Sequence, residues 1–298
     1  MFIDTIYEQA KKNLQTIALP ESTNPVILKA AAKAQADGLA NVVLIGDPAE
    51  IQAKAAEVGA DIAAVKIVDI NDEAYKNELL DRYAESPNKV MGRKFVEKRA
   101  GDPVYYACLM EAVGEVDCTM AGIDTTTYEF VLAANSIIGM IPGVASASGL
   151  QILELEDFHG EKNKLIGCTD GAINIEPTVE QHAGIAIASC ETFKAVTGIE
   201  PRCAFLSYST DGSGGMSAPV KKVRDAVALA QELRPDLKID GLHLFDHARK
   251  ILLRPRLDTV KEKLELLMEL DADADRKMDA NMDQKTDQVV MHHRMDRM

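Results

Sequence analysis

The residues best equipped for chemistry stand together in one short run. Ser209, Thr210, Gly212 and Ser213 lie in the stretch Leu206-Ser-Tyr-Ser-Thr-Asp-Gly-Ser-Gly-Gly215. An apolar segment from Ala204 to Leu206 precedes it, and a helical pattern opens near Ser217 with Pro219 in its first turn. A strand, a glycine-rich hydroxyl loop and a helix start together aim N–H groups and hydroxyls at one point, which suits a phosphate-like anion. The same composition also serves as a plain polar connection. Asp211 would repel an anion unless it were paired, so it is read as facing away. A second junction of the same kind runs from Ile123 to Glu129, with Thr126 and Thr127 before a helix. Either threonine would face an anion or simply cap the helix.

Positioning these loops requires strands and helices in alternation. The segments Ile17–Pro20, Asn41–Ile45 and Val65–Ile70 read as buried strands, with helices over Val26–Gln35 and Ala49–Val58 between them. That order predicts a parallel sheet covered by helices. Further helices are expected over Glu73–Ala84, Lys94–Arg99 and Asp102–Val113, and a strand over Cys118–Gly122. After a helix at Phe130–Ile138, the glycines and proline at 139–143 mark a domain boundary. Strands at Val144–Leu155 and Leu165–Thr169, a long helix at Val179–Thr197, a strand at Arg202, a helix to Leu233 and a strand at Leu237–Phe245 complete the expectation. The fold class is α/β, with domains over 1–143 and 144–246 and an atypical tail over 247–298.

Composition sets the outer limits. A chain of 298 residues with 47% hydrophobic residues has enough material for two domains. Its formal charge of −14 argues against nucleic acid or an anionic membrane as partner. Tryptophan is absent and aromatic residues are few, so base-stacking platforms are not expected. The five cysteines are scattered, without a Cys-x-x-Cys pair, which fits reduced thiols and a cytoplasmic protein. No metal cluster is expected; the pair His292-His293 has no spaced partner. No membrane span and no signal-peptide core are expected either.

Several motifs carry a resemblance to a known family. Leu19-Pro-Glu21 precedes an alanine-rich helix, and a basic segment from Lys94 leads to Asp102-Pro103. Ala121-Gly-Ile-Asp-Thr-Thr-Thr-Tyr-Glu129, Asp170-Gly-Ala-Ile-Asn174 and Leu206-Ser-Tyr-Ser-Thr-Asp-Gly-Ser213 follow in order, then Arg234-Pro-Asp-Leu-Lys-Ile-Asp-Gly241. From about Ile17 to Asp246 the chain resembles the phosphate acetyl/butyryltransferase family. The resemblance implies two three-layer αβα domains with largely parallel sheets and a cleft between them, in a homodimer. It implies reversible transfer of an acetyl or butyryl group between CoA and inorganic phosphate. Acyl-CoA and phosphate are then substrates, and no cofactor is needed. It also implies substrate contacts from Ser209, Thr210, Gly212, Ser213, Thr126 and Thr127, while Arg93 and Lys94 are the nearest basic candidates for phosphate and equally suit a solvated surface. Asn174 would donate its amide to the acyl or phosphate oxygen, and Asp170 would orient it.

The differences from the family pattern are specific. Val26 and Leu132 stand where family members carry arginines. After Asp246 nothing matches the family's C-terminal segments, which supply the Ser, Arg and Asp of catalysis, so no catalytic residue is assigned. Half of the 12 methionines fall between Met268 and Met298. Leu257–Leu270 could form a charged helix, and the rest of the tail reads as disordered. An out-of-frame or foreign tail, with activity impaired, is expected. The competing readings are a non-catalytic binding remnant and a same-fold relative, such as a decarboxylating dehydrogenase-like or acyl-carrier-dependent enzyme. No glycine-rich dinucleotide loop follows the first strand, which counts against the dehydrogenase.

Overall fold

Strand β1 (Thr16–Leu19) is the axis of a four-stranded sheet. Strand β2 (Asn41–Gly46) lies on one side of it, with β3 (Lys66–Asp69) beyond, and β4 (Cys118–Thr119) lies on the other. All three pairings are parallel, and Ala18 sits between Val43 of β2 and Thr119 of β4. The structure is a computed structural model and describes residues 1–141, 144–158, 160–207, 209, 215 and 217–243. The expected tail helix at 257–270 and the expected disorder beyond it lie outside the described residues.

The central strands read as continuous apolar runs because both faces are covered. In β2, Val42 and Leu44 join a cluster with Leu28 and Ala31 of α2 (Pro25–Ala36) and with Ile51 and Ala55 of α3 (Pro48–Val58). Val43 and Ile45 point the other way. Their cluster includes Leu79, Leu80 and Tyr83 of α4 (Glu73–Glu85), Tyr106 to Met110 of α6 (Pro103–Ala112), and Ala133 and Ile137 of α7 (Thr127–Ile137). A short helix α5 (Arg93–Glu97) adds Val96 to the same side. Helix starts follow the cap chemistry in the sequence. Asn24, Asp47, Asp72 and Asp102 each accept a backbone N–H of the first turn, three of them just before a proline.

Three features differ from the sequence expectation. Phe2–Lys12 forms a helix, α1, with no buried residue; Phe2, Ile6 and Ala10 make its half-buried stripe at four-residue spacing, a helical pattern ahead of the alternation that begins at Ile17. The expected strand Val144–Leu155 begins only at Leu150 and runs to Phe158 as β5. It pairs antiparallel with β6 (Glu161–Thr169), so this sheet departs from the parallel rule. Neither strand has a fully buried residue, Leu150 to Leu153 alternate half-buried and exposed, and Gly160 near their turn takes φ 90.

The chain divides into two compact units after Ile175, so the hairpin belongs with the first. The sequence expectation places its boundary earlier, at 139–143. The described part of the second unit is a strand–helix–strand repeat behind a long helix. Helix α8 (Val179–Thr197) precedes β7 (Arg202–Leu206), helix α9 (Ala218–Leu233) crosses over, and β8 (Lys238–His243) returns parallel to β7. Ala183, Ala186, Phe205, Ala226, Ala230 and Ile239 form its core. Gly241 is required by packing, since a Cβ there would lie 2.2 Å from Val227 Cγ2. All five cysteines are free thiols.

Candidate functional site

The strand order dictates where the first unit opens. From β1 the chain moves outward through β2 and β3, then returns to place β4 on the opposite side of β1. The loops leaving β1 and β4 therefore diverge, which makes the ends of these two strands the switch point of a parallel α/β sheet. The loop after β1 carries Glu21 and Ser22; the loop after β4 runs from Ala121 to Thr126.

The two loops are joined by one carboxylate. Gly122 N–H donates to both oxygens of Glu21 at 3.1 Å, and Ile123 N–H donates at 3.0 Å. Asp124 and Thr125 N–H groups donate at 2.9 Å and 2.7 Å. Four successive N–H groups converge on one anion, the geometry of an anion nest. Glu21 is only 8% exposed. Burial works to raise its pKa, but the N–H groups of Ile123, Thr125, Gly122 and Asp124 prevail and bring it down to about 2. Around this contact, Asn24 Nδ2 donates to both Asp124 carboxylate oxygens at 3.0 Å. Ser22 Oγ donates to Leu19 C=O and accepts from Ile45 N–H, each at 2.7 Å, tying the loop to β2.

The N–H groups of the second junction are taken by the chain's own Glu21, and Thr126 has the capping role that the sequence offered as its alternative. Thr126 is the N-cap of α7: its Oγ1 accepts from Glu129 N–H at 3.3 Å and donates to Glu129 Oε2 at 2.7 Å. Its hydroxyl is committed to a capping box. Thr127, the first residue of α7, is exposed.

Asp170 and Asn174 form a second internal network after β6. Asp170 accepts from the N–H groups of Gly149 (3.2 Å), Ala172 (3.3 Å), Ile173 (3.3 Å) and Asn174 (2.8 Å). Asn174 Nδ2 donates to Asp170 Oδ2 at 2.6 Å and to Ala147 C=O at 2.7 Å, and its Oδ1 accepts from Ser146 Oγ at 2.6 Å. Burial pushes the Asp170 carboxyl up, but the Asn174 amide and the loop N–H groups hold it below the usual range. Both amide protons of Asn174 are used inside the loop, so the expected donation to a substrate oxygen would have to break one of these bonds.

Arg93 also differs from its expected place. Its Nε donates to Asp81, Nη1 to Glu97 and Nη2 to Asn77, each at 3.0 Å. The guanidinium is tied to α4 and α5, because Glu97 stands four residues on and Asp81 faces it. In the second unit, Ser209 is fully buried, and its N–H donates to Ser207 Oγ at 3.1 Å. Thr210, Gly212 and Ser213 lie outside the described residues.

Glu21 stands in the sequence as the end of Leu19-Pro-Glu21 and the start of a loop, with no local sign of this contact. The available signal was an acid directly after a buried strand, opposite a glycine-containing loop. Among the described residues no cluster of His, Cys, Asp and Glu suits a metal ion, and no helix is long and apolar enough to cross a membrane.

Comparison with known proteins agrees with the layout. Residues 1–255 match the family model for phosphate acetyl/butaryl transferase. A phosphate acetyltransferase of Thermoanaerobacterium thermosaccharolyticum is 35% identical over 247 residues, 83% of this chain and 74% of that protein. One from Escherichia coli K12 is 40% identical over 243 residues, 81% of this chain but 33% of that longer protein. Among solved structures, a phosphotransacetylase from Streptococcus pyogenes superposes with a TM-score of 0.73 at 28% identity, covering 82% of this chain and 73% of that one. With a parallel switch-point sheet, the ordered motifs and a match over most of its length, the chain belongs to the phosphate acetyl/butyryl transferase family.

Proposed function

We propose that this protein exchanges a short acyl group between CoA and inorganic phosphate, acyl-CoA plus phosphate giving acyl phosphate plus CoA. The family match over residues 1–255 carries this reading. In the forward direction a phosphate oxygen adds to the thioester carbonyl, and the CoA thiolate leaves. In the reverse direction the CoA thiol gives up its proton and attacks the acyl phosphate. Both directions pass through developing oxyanion charge, which fixed N–H and hydroxyl dipoles stabilise. Ser209, Thr210, Gly212 and Ser213, between β7 and α9, are the proposed contacts for phosphate or the CoA pyrophosphate. Thr127 is a further proposed contact. Thr126, Asp170 and Asn174 serve as framework, and Arg93 contributes only if its ion pairs open. Acetyl and butyryl groups are the proposed acyl range, the protein is proposed to act as a homodimer, and the cytoplasm is its proposed location, where free thiols persist.

The deciding assay is phosphate-dependent release of CoA from acetyl-CoA and butyryl-CoA. Release that does not depend on phosphate would refute the reading. A Thr210→Ala/Ser213→Ala variant should weaken phosphate or CoA binding by calorimetry, and unchanged affinity would overturn that assignment.

One observation favours a second reading, a binding protein with impaired turnover. Val26 and Leu132, where the family resemblance implies arginines, are 61% and 43% exposed and bring no charge to bind an anion. CoA binding without turnover would support this reading, whereas turnover within about tenfold of an intact family member would remove it.

A further inference from the structure

Among the described residues one buried carboxylate stands outside the proposed substrate contacts. Glu21 is one of five buried polar residues among the described residues, and it is the only ionisable one of the five. A carboxylate taken out of water is costly unless donors compensate it. Here the compensation is complete and unusual: four consecutive N–H groups, from Gly122 to Thr125, all converge on it. Those donors cannot serve a substrate phosphate while the carboxylate is in place. They also constrain the backbone directly, because four successive peptide groups must turn toward one point. Gly122 takes φ 120 to begin this winding, a conformation that L side chains rarely adopt.

The wound segment runs straight into a helix. Thr126 caps α7, and its backbone N–H is held as well, donating to Glu129 Oε2 at 3.1 Å. The start of α7 is therefore continuous with the Glu21 contact, residue by residue. On the other side, Ser22 and Asn24 secure the β1 loop to β2 and to Asp124. Glu21 thus links the ends of β1 and β4, the two strands that flank the switch point.

We propose that Glu21 is a positioning residue. Its carboxylate is the template on which residues 122–125 are wound, and through that loop it sets the place of Thr127 and the first turn of α7 for CoA binding. The inference rests on the proposed acyl exchange for its second half only; the templating stands on geometry alone.

The test uses the full chain as wild type, Glu21→Ala and Glu21→Gln. Removing the side chain at Glu21→Ala leaves four N–H groups facing a space that formate, a one-carbon carboxylate, can refill. Thermal unfolding is followed during titration with sodium formate against equal sodium chloride. The expected result is a formate-specific rise in Tm for Glu21→Ala and none for wild type or Glu21→Gln. CoA affinity by calorimetry should fall about tenfold in Glu21→Ala and return with formate, an effect that a merely structural loss would not show. In turnover the KM for CoA should rise more than kcat falls. Formate that stabilises Glu21→Ala no more than chloride does would overturn the templating. Affinity for CoA within about twofold of wild type would overturn the positioning role. If wild type binds no CoA, the functional reading fails and the positioning role fails with it, while the formate titration still decides the template. Should Glu21→Ala not fold, Glu21→Gln replaces it: one oxygen becomes an amide that cannot accept, and undiminished CoA affinity there would refute the proposal.

Discussion

Acid should dissolve the Glu21 contact, and the size of the effect can be worked from the structure. The pKa of this carboxyl is about 2 in the folded protein against 4.5 in an unfolded chain. A folded pKa below the unfolded one means stability present above the unfolded value and lost as pH falls through the folded value. The window therefore runs from about pH 5 down to about pH 2. At about 1.4 kcal/mol per unit, the full depression would correspond to about 3 kcal/mol. The donors belong to Gly122, Ile123 and Asp124, which are exposed, and to half-buried Thr125. Water screens such a loop, so about 2 kcal/mol is the working figure. The assay is urea unfolding of wild type and Glu21→Gln at several pH values from 7 to 3. The difference between the two should be about 2 kcal/mol near neutrality, stay constant down to about pH 5, and shrink below it. A difference that is flat across this range, or below about 0.5 kcal/mol at pH 7, would refute the reasoning.

Four further outcomes are expected. Thr126→Ala should cost about 1 kcal/mol in urea unfolding, the worth of an N-cap, with phosphate affinity unchanged; a large loss of phosphate affinity would make Thr126 a ligand instead. Asp170→Asn should lower stability by about 1–3 kcal/mol, because the loop donors lose their charged acceptor, and the loss should fade in acid, since the folded carboxyl lies below its usual range. Gly241→Ala should destabilise the second unit by about 1–3 kcal/mol through the clash with Val227, visible as a lower Tm. Arg93→Ala should change phosphate affinity little and stability by about 1 kcal/mol or less, since its ion pairs are largely open to water.

Much of the architecture is legible without coordinates. The apolar runs Ile17–Pro20 and Asn41–Ile45, each followed by a cap residue and a proline, specify strand and helix within a few residues. The long helix at Val179–Thr197 is legible with its observed ends, since Thr178 caps it and Gly198 closes it in the left-handed conformation. The antiparallel pairing of β5 and β6 is not legible, because alternation marks a strand without naming its partner. The site is harder still. Hydroxyls and glycines announce loops able to hold anions, and Asp170-Gly-Ala-Ile-Asn174 announces a polar turn. Neither says whether the donors face a ligand or the chain itself.

That last choice belongs to tertiary structure. Local sequence determined the elements, their caps and their family motifs, because propensity, periodicity and capping act over a few residues. Only the folded sheet decided that β4 returns beside β1, which brings Glu21 within reach of N–H groups 101 to 104 residues away in the chain. A carboxylate and a nest so far apart have no local signal of each other. Their meeting depends on strand order, and strand order is set by how both faces of the sheet are buried.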